Sequence, residues 1–186
     1  AGRDNFQPVP PRGLFARLWL GSMPGLISGQ SPDRNIFYSS YLSTYVERDV
    51  RELSGSVDAL KFNRFVTAVA ARCSQLLNYK ALADDADIDM PTAKNWVNIL
   101  ETLGIIFLLH PYSNNVLKRT IKTPKVYFYD TGLVCYLTRW SSPEVAESGA
   151  MSGALLENFT VSEIMKSYQN AGLEPYLYFS RDRDAK

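Results

Sequence analysis

The chain has 186 residues, enough for one complete domain and part of a second. Hydrophobic residues make up 46% and charged residues 21%, an ordinary globular composition that argues against wholesale disorder. Neither a membrane-spanning apolar run nor a secretory signal is evident in the sequence, so we expect a cytoplasmic protein with no membrane partner. The formal net charge of +1 supplies no overall field for nucleic acid, and any DNA binding must come from local patches.

The first 40 residues are predicted to be an irregular lead-in or linker, because proline and glycine recur among scattered apolar residues. Their aromatic side chains either complete the core of this domain or are ordered by a partner or a second copy of the chain. These aromatic residues, together with two that follow directly, are Phe15, Trp19, Phe37, Tyr38, Tyr41 and Tyr45.

Helical periodicity begins at Tyr41 and continues to about residue 103. A first amphipathic helix ends at Gly55, and a second carries a wholly apolar face over residues 62–73. A short helix capped by Asn78 and a longer one over residues 91–103 follow, joined by a tight turn. Two helices joined in this way are typical of a helix-turn-helix, in which the second helix is the recognition helix.

Two strands are predicted after these helices, over residues 105–109 and 126–129, with a polar, basic stretch between them. Helices followed by such a hairpin predict a winged helix. Its candidate DNA-binding residues lie on the recognition helix and on the wing: Lys94, Asn95, Asn98, Lys118, Arg119 and Lys122. Acidic residues on the same surface argue against DNA, namely Asp84, Asp85, Asp87, Asp89 and Glu101.

Cysteine and histidine offer little for metal binding or nucleophilic catalysis. Cys73 and Cys135 are far apart in sequence and outside any CxxC spacing, so we expect both to be reduced and Cys73 to be a small core residue. The single histidine, His110, falls at a predicted strand end, which makes a catalytic triad an unfavoured interpretation.

Residues 131–186 change character again. A short helix over residues 133–137, a long one over 152–168 and a strand over 176–179 predict an α/β lobe that packs back onto the winged helix. The predicted fold class is therefore mainly α with α/β character. Three segments follow from this, namely a lead-in over residues 1–40, a helical segment with the winged helix over 41–130, and the start of an α/β lobe over 131–186.

Five stretches, in the same order along the chain, resemble a prokaryotic family in which an AAA-type ATPase module precedes a C-terminal domain of unknown function. They are YLSTYVERDV (41–50), PTAK (91–94), KVYFYDTGL (125–133), GALLENF (153–159) and YFSRD (178–182). The resemblance implies that the winged helix is followed by a lobe similar to restriction-endonuclease-like nucleases of the PD-(D/E)xK type, here truncated at the C-terminus. It also implies that ATP and magnesium belong to an upstream ATPase, which would be a partner of this chain.

The resulting hypotheses concern a non-catalytic fragment. No GxxxxGK[ST] phosphate loop is present, and Glu157 is the only nuclease-like carboxylate matched by position, so we expect hydrolysis of neither ATP nor nucleic acid, and no cofactor or metal in this fragment. The alternative interpretation of Glu157 is a half-exposed structural glutamate. The chain is therefore predicted to be a winged-helix module that binds DNA or docks on its own ATPase. The alternative is part of a metal-dependent nuclease that is incomplete in this chain.

Overall fold

Helices make up most of the computed structural model, which describes residues 11–29, 33–55, 57–112 and 123–180. In chain order the elements are α1 (Pro11–Leu20), α2 (Pro24–Ile27), α3 (Arg34–Ser40), a π-helical segment (Tyr41–Val46), α4 (Glu47–Ser54), α5 (Ala59–Ala70), α6 (Tyr79–Ala86), α7 (Met90–Thr102), β1 (Ile106–Leu109), β2 (Lys125–Phe128), α8 (Thr131–Leu137), α9 (Pro143–Ser148) and α10 (Ser152–Asn170).

Short polar side chains begin most of these helices. The predicted Asn78 cap is confirmed, because its side chain accepts a hydrogen bond from the amide of Ala81 at 3.1 Å. Asp89 likewise accepts from the amide of Thr92 at the start of α7. These caps satisfy amide groups that have no partner within the first turn, so they define where each helix starts.

The hairpin predicted after Gly104 is confirmed for the described strands. β1 and β2 are antiparallel, with Ile106 opposite Phe128 and Leu109 opposite Lys125. Single bridges extend this sheet on both sides: Leu76 pairs with β2, and Phe179 pairs in parallel with Pro111, two residues after β1. The strand predicted over 176–179 is wrong, because only Phe179 of that segment forms a bridge.

The predicted apolar face of residues 62–73 is also confirmed. Phe62, Phe65 and Cys73 are fully buried within one hydrophobic cluster. Trp96 of α7 lies edge-on to both phenylalanine rings, with ring centroids 5.3 and 5.2 Å apart. Such edge-to-face pairs add to the stabilisation from buried area, so the contacts of Trp96 help to hold α7 against α5.

The prediction of an irregular lead-in is wrong for the described residues before 41, which contain α1, α2 and α3. Phe15 and Leu18, three residues apart and so on one face of α1, are buried in the main core together with Tyr38 of α3. Burial of these side chains favours the interpretation that the aromatic residues complete the domain's own core. Helices this short have weak periodicity, and tertiary packing determines them.

The residues after Asp130 share this core with the helices before it. One cluster of buried side chains extends from Phe15 to Leu155, and α10 packs on β2 and on α1. A smaller cluster fills the space between the sheet and α10, with Phe107, Tyr127 and Met165 at its centre. Among the described residues, no helix is both long and apolar enough to cross a membrane.

Candidate functional site

Glu157 of α10 is bound to β2. Its Oε1 atom accepts hydrogen bonds from Lys125 Nζ at 2.8 Å and from the Tyr127 hydroxyl at 2.6 Å. The neighbouring Asn158 is fully buried and exchanges two hydrogen bonds with the backbone of Phe128. The predicted carboxylate therefore lies against the sheet and is held by the strand beside it.

The charge state of this cluster follows from these contacts. Partial burial alone would raise the pKa of Glu157, but hydrogen bonds from Lys125 and Tyr127 and the lysine charge outweigh it and lower that pKa. Burial and the hydrogen bond to Glu157 raise the pKa of the Tyr127 phenol. At neutral pH the cluster therefore consists of a carboxylate, an ammonium and a neutral phenol.

A metal centre finds no support in the part of the chain that the structure describes. It contains no group of three or more histidine, cysteine or acidic side chains able to hold a metal ion. Burial raises the pKa of the Cys73 thiol, the cysteine beside this cluster, to about 12. Glu157 is 42% exposed and already paired with Lys125, an arrangement that matches the structural interpretation of this residue.

Stability should depend on pH through Glu157. The pKa of Glu157 is lower in the folded protein than in the unfolded chain, so the ionised carboxylate stabilises the fold at pH values above the unfolded pKa. This stabilisation is lost as the pH falls through the folded pKa. Urea unfolding should therefore show Glu157→Gln less stable than wild type near pH 7, with the difference shrinking below about pH 4. A difference that is constant over this range would contradict the ionised pair.

The predicted recognition helix, α7, presents its polar residues to solvent. Lys94, Asn95 and Asn98 are all exposed, as the helical spacing predicts, while Trp96 and Val97 are buried. The ammonium group of Lys94 lies 5.8 Å from the ring centroid of Tyr79. The three predicted wing residues, Lys118, Arg119 and Lys122, lie outside the described residues.

The acidic residues beside α7 are largely paired within the domain. Asp84 bonds to Lys80 at 2.7 Å, Asp85 to Arg72 at 2.6 Å and Asp87 to Lys61 at 2.9 Å; Asp89 caps α7. This pairing reduces the repulsion that a phosphate group would meet there. It also occupies the neighbouring cations, so Lys94 is left as the one described cation on the exposed face of α7.

A buried junction at Asp130 was missed by sequence reasoning. One of its carboxylate oxygens accepts from the Tyr38 hydroxyl and the Leu133 amide, both at 2.7 Å. The other accepts from the amide of Ser22 at 2.6 Å and from its hydroxyl at 3.2 Å. The helix-starting position of Asp130 before Thr131 and Gly132 was visible in the sequence, but its contacts with α3 and the α1–α2 turn were not.

Two glycines allow the chain to approach this junction closely. A Cβ atom at Gly132 would collide with the Tyr38 hydroxyl and lie 2.5 Å from the carbonyl oxygen of Leu20. Gly21 has a φ of +89°, and a Cβ atom there would also collide with Tyr38. The turn after α1 and the first turn of α8 are therefore in direct backbone contact.

A cleft of about 610 Å³ opens beside the junction, between α1 and α2 on one side and α10 on the other. Its apolar wall includes Leu26, Ile27 and Phe159, and Ile27 is 64% exposed. Lys166 at its edge pairs with Glu163 and donates to the Ser22 hydroxyl at 3.2 Å. Among the described residues, the Arg17 side chain in the same lining forms no ion pair or hydrogen bond.

These features define a mostly helical domain with a small antiparallel sheet. The chain belongs to a family described as a domain of unknown function (DUF8612), which matches residues 12–144. Uncharacterized proteins of Mycobacterium tuberculosis and Mycobacterium bovis are each 27% identical to it over 172 residues, or 91% of this chain and 38% of their own length. The chain thus spans about two fifths of the length of these curated relatives. No solved structure matches it.

Proposed function

We propose that this chain is a non-catalytic docking module of a longer prokaryotic AAA-type ATPase. The observation that carries the proposal is the cleft between α1, α2 and α10, which combines an apolar wall with the unpaired cation of Arg17. Its volume of about 610 Å³ is sufficient for a few side chains of a partner segment. The pairing of Glu157 with Lys125 weighs against the nuclease alternative, because a metal would have to displace the lysine first.

A winged helix is the fold we propose for residues 59–128. The order of α5, the bridge residue Leu76, α6, α7, β1 and β2 supports it, as does the pairing of Leu76 with β2 at the sheet edge. Winged helices either bind DNA or act as docking modules, so the function has to be inferred from the surface residues and not from the fold.

The occupant that we propose for the cleft is a segment of the ATPase part of the same polypeptide. The curated relatives carry more than half of their length outside the matched region, so such a segment is available within one chain. Charge complementarity with Arg17 requires a carboxylate on that segment, and Ile27 and Phe159 require an apolar side chain next to it.

The docking proposal predicts binding in trans. The separately expressed ATPase part of the longer protein should bind this chain, and Arg17→Glu should weaken binding at least about tenfold, because it places like charges in contact. Isothermal titration calorimetry measures both affinities. Arg64→Glu is the matched control, since this exposed arginine of α5 does not line the cleft. Equal losses in the two variants, self-association in place of binding, or no binding to wild type would contradict the proposal.

DNA binding is the second candidate, favoured by the ion pairs that neutralise Asp84, Asp85 and Asp87 next to α7. It relies on Lys94, Asn95 and Asn98 together with the predicted wing residues. With one described cation on this face, the electrostatic contribution is small. We therefore expect weak, non-specific and strongly salt-dependent binding.

Charge reversal separates the two candidates. Fluorescence anisotropy with a labelled duplex should show weak binding at low salt that disappears on raising the salt concentration and in a Lys118→Glu, Arg119→Glu, Lys122→Glu variant. Arg17→Glu is the control, because that exposed arginine lines the cleft between α1, α2 and α10 and is not on the face of α7. Tight binding unchanged by salt would contradict this expectation, whereas no binding at any salt concentration would leave docking as the function.

A further inference from the structure

A second cavity, of about 390 Å³, lies between α1, α3 and the end of α8. Two guanidinium groups line it, those of Arg34 and Arg139, together with the aromatic rings of Trp19, Tyr136 and Trp140. Within the described part of the chain, no carboxylate lines this cavity. It therefore carries two positive charges and no negative one.

Arg34 is the more unusual of the two cations, because it is only 8% exposed. Its Nε donates to the carbonyl of Trp19 at 2.7 Å, one terminal nitrogen donates to the carbonyl of Gly132 at 2.8 Å, and the other reaches the side chain of Asn35 at 3.3 Å. A guanidinium has five N–H groups, so two of them find no partner among the described residues.

The positive charge of Arg34 is offset by carbonyl dipoles, by aromatic faces and, without direct contact, by the carboxylate of Asp130. Its guanidinium carbon lies 4.1 Å from the ring centroid of Trp19 and 5.2 Å from that of Tyr38, and no acidic side chain among the described residues forms an ion pair with it. Burial is the main cause that lowers the pKa of Arg34. A buried charge of this kind gains stability when an anion is brought to it.

Arg139 supplies the second charge from the cavity rim. It is exposed, its backbone is in the left-handed region with a φ of +60°, and within the described residues its side chain has no hydrogen bond or ion pair. The last carbonyls of α8 accept the backbone amides of Thr138, Arg139 and Trp140, so they present little negative potential to the cavity. Burial raises the pKa of Cys135 to about 12, which keeps that thiol neutral.

We propose that this cavity binds a small phosphate monoester whose organic part is flat. A phosphate monoester carries a charge of about −1.5 to −2 at neutral pH, which balances two guanidinium groups, whereas a single carboxylate would leave one uncompensated. Guanidinium donors match the oxygens of a phosphate group, and the aromatic side chains of Trp19, Tyr136 and Trp140 in the lining supply apolar contact for a flat substituent. The volume lies in the range of small-ligand sites, about 300–1,000 Å³.

Tryptophan fluorescence measures ligand binding in this cavity directly. Two of the three tryptophans line the cavity, and the third, Trp96, is buried between α5 and α7. Phenyl phosphate, inorganic phosphate and benzoate are titrated separately at low salt, with thermal melting as a second measurement. We expect saturable changes, with phenyl phosphate binding tighter than inorganic phosphate and tighter than benzoate.

Arg139→Gln is the test variant, because it removes the charge at an exposed position and keeps a non-glycine residue at the same φ. It should weaken phenyl phosphate binding about tenfold or more, and Arg17→Gln, in the other cleft, should leave the affinity unchanged. The proposal would be overturned by a non-saturable signal, by benzoate binding as tightly as phenyl phosphate, or by equal effects of the two substitutions.

Discussion

Asp130→Ala should lower the free energy of unfolding by about 3–5 kcal/mol, one of the largest effects expected for a substitution in this chain. The carboxylate is 4% exposed and accepts four hydrogen bonds, from Ser22, Tyr38 and Leu133. Alanine would remove the acceptor of the Ser22 and Leu133 amides, and it would leave the Tyr38 hydroxyl with only the Leu20 carbonyl, at 3.0 Å. It would also remove the N-cap of α8.

Urea unfolding at neutral pH measures this loss. Asp84→Ala is the matched control, because Asp84 is exposed and pairs only with Lys80 on the surface of α6, so its loss should be within about 1 kcal/mol. The Asp130→Ala and Tyr38→Phe substitutions should be markedly non-additive, since both remove the same hydrogen bond. Similar small losses for the two aspartates would show that the junction is not a structural centre.

The middle of the fold was predictable because its signals are local. The apolar face of residues 62–73, the Asn78 cap and the turn before Met90 each follow from spacing within one or two helical turns. The hairpin was predictable for the same reason, because both strands are short apolar runs with a polar stretch between them. In each case the structure needs only neighbouring residues to specify it.

The lead-in was not predictable in this way. α1, α2 and α3 are short, and the residues that stabilise them are distant in sequence: Tyr38 bonds to Asp130, and Trp19 donates to the carbonyl of Trp140. Spacing along the chain carries no information about a contact between residues about ninety or more positions apart. From helix propensity alone, the glycines and prolines of this segment predict breaks in helical structure. In the folded domain, tertiary packing stabilises the helices despite these residues.

The candidate site residues show the same difference between features set by local spacing and features set by distant contacts. Exposure of Lys94, Asn95 and Asn98 follows from helix geometry, and the structure confirms it. The partners of Glu157 come from β2, some thirty residues away, so the sequence indicated the carboxylate but not its ion pair with Lys125. The two clefts were not predicted at all, since each is assembled from α1 and from elements beyond residue 128.

Gly132→Ala is expected to destabilise the fold by about 3 kcal/mol or more, because no small adjustment accommodates the added methyl group. It would collide with the Tyr38 hydroxyl, and it would lie 2.5 Å from the Leu20 carbonyl oxygen and 2.6 Å from the Cα of Gly21, both of which are backbone atoms. The backbone cannot swing aside as a flexible side chain would, so α8 would have to separate from the turn after α1. That separation would lengthen the hydrogen bonds from Tyr38 and Ser22 to Asp130 and disturb both clefts.

Gly153→Ala is the matched control for this substitution. Gly153 lies in the first turn of α10 with nothing within 4 Å of the added carbon, so alanine there should leave stability unchanged or raise it by up to about 1 kcal/mol. Thermal and urea unfolding of both variants compare the same chemical change at a packed and an open position. Equal stability of the two would refute the close backbone contact between α8 and the α1–α2 turn. A large loss at Gly132 alone would show that this contact, which sequence spacing does not reveal, holds the N-terminal helices to the rest of the domain.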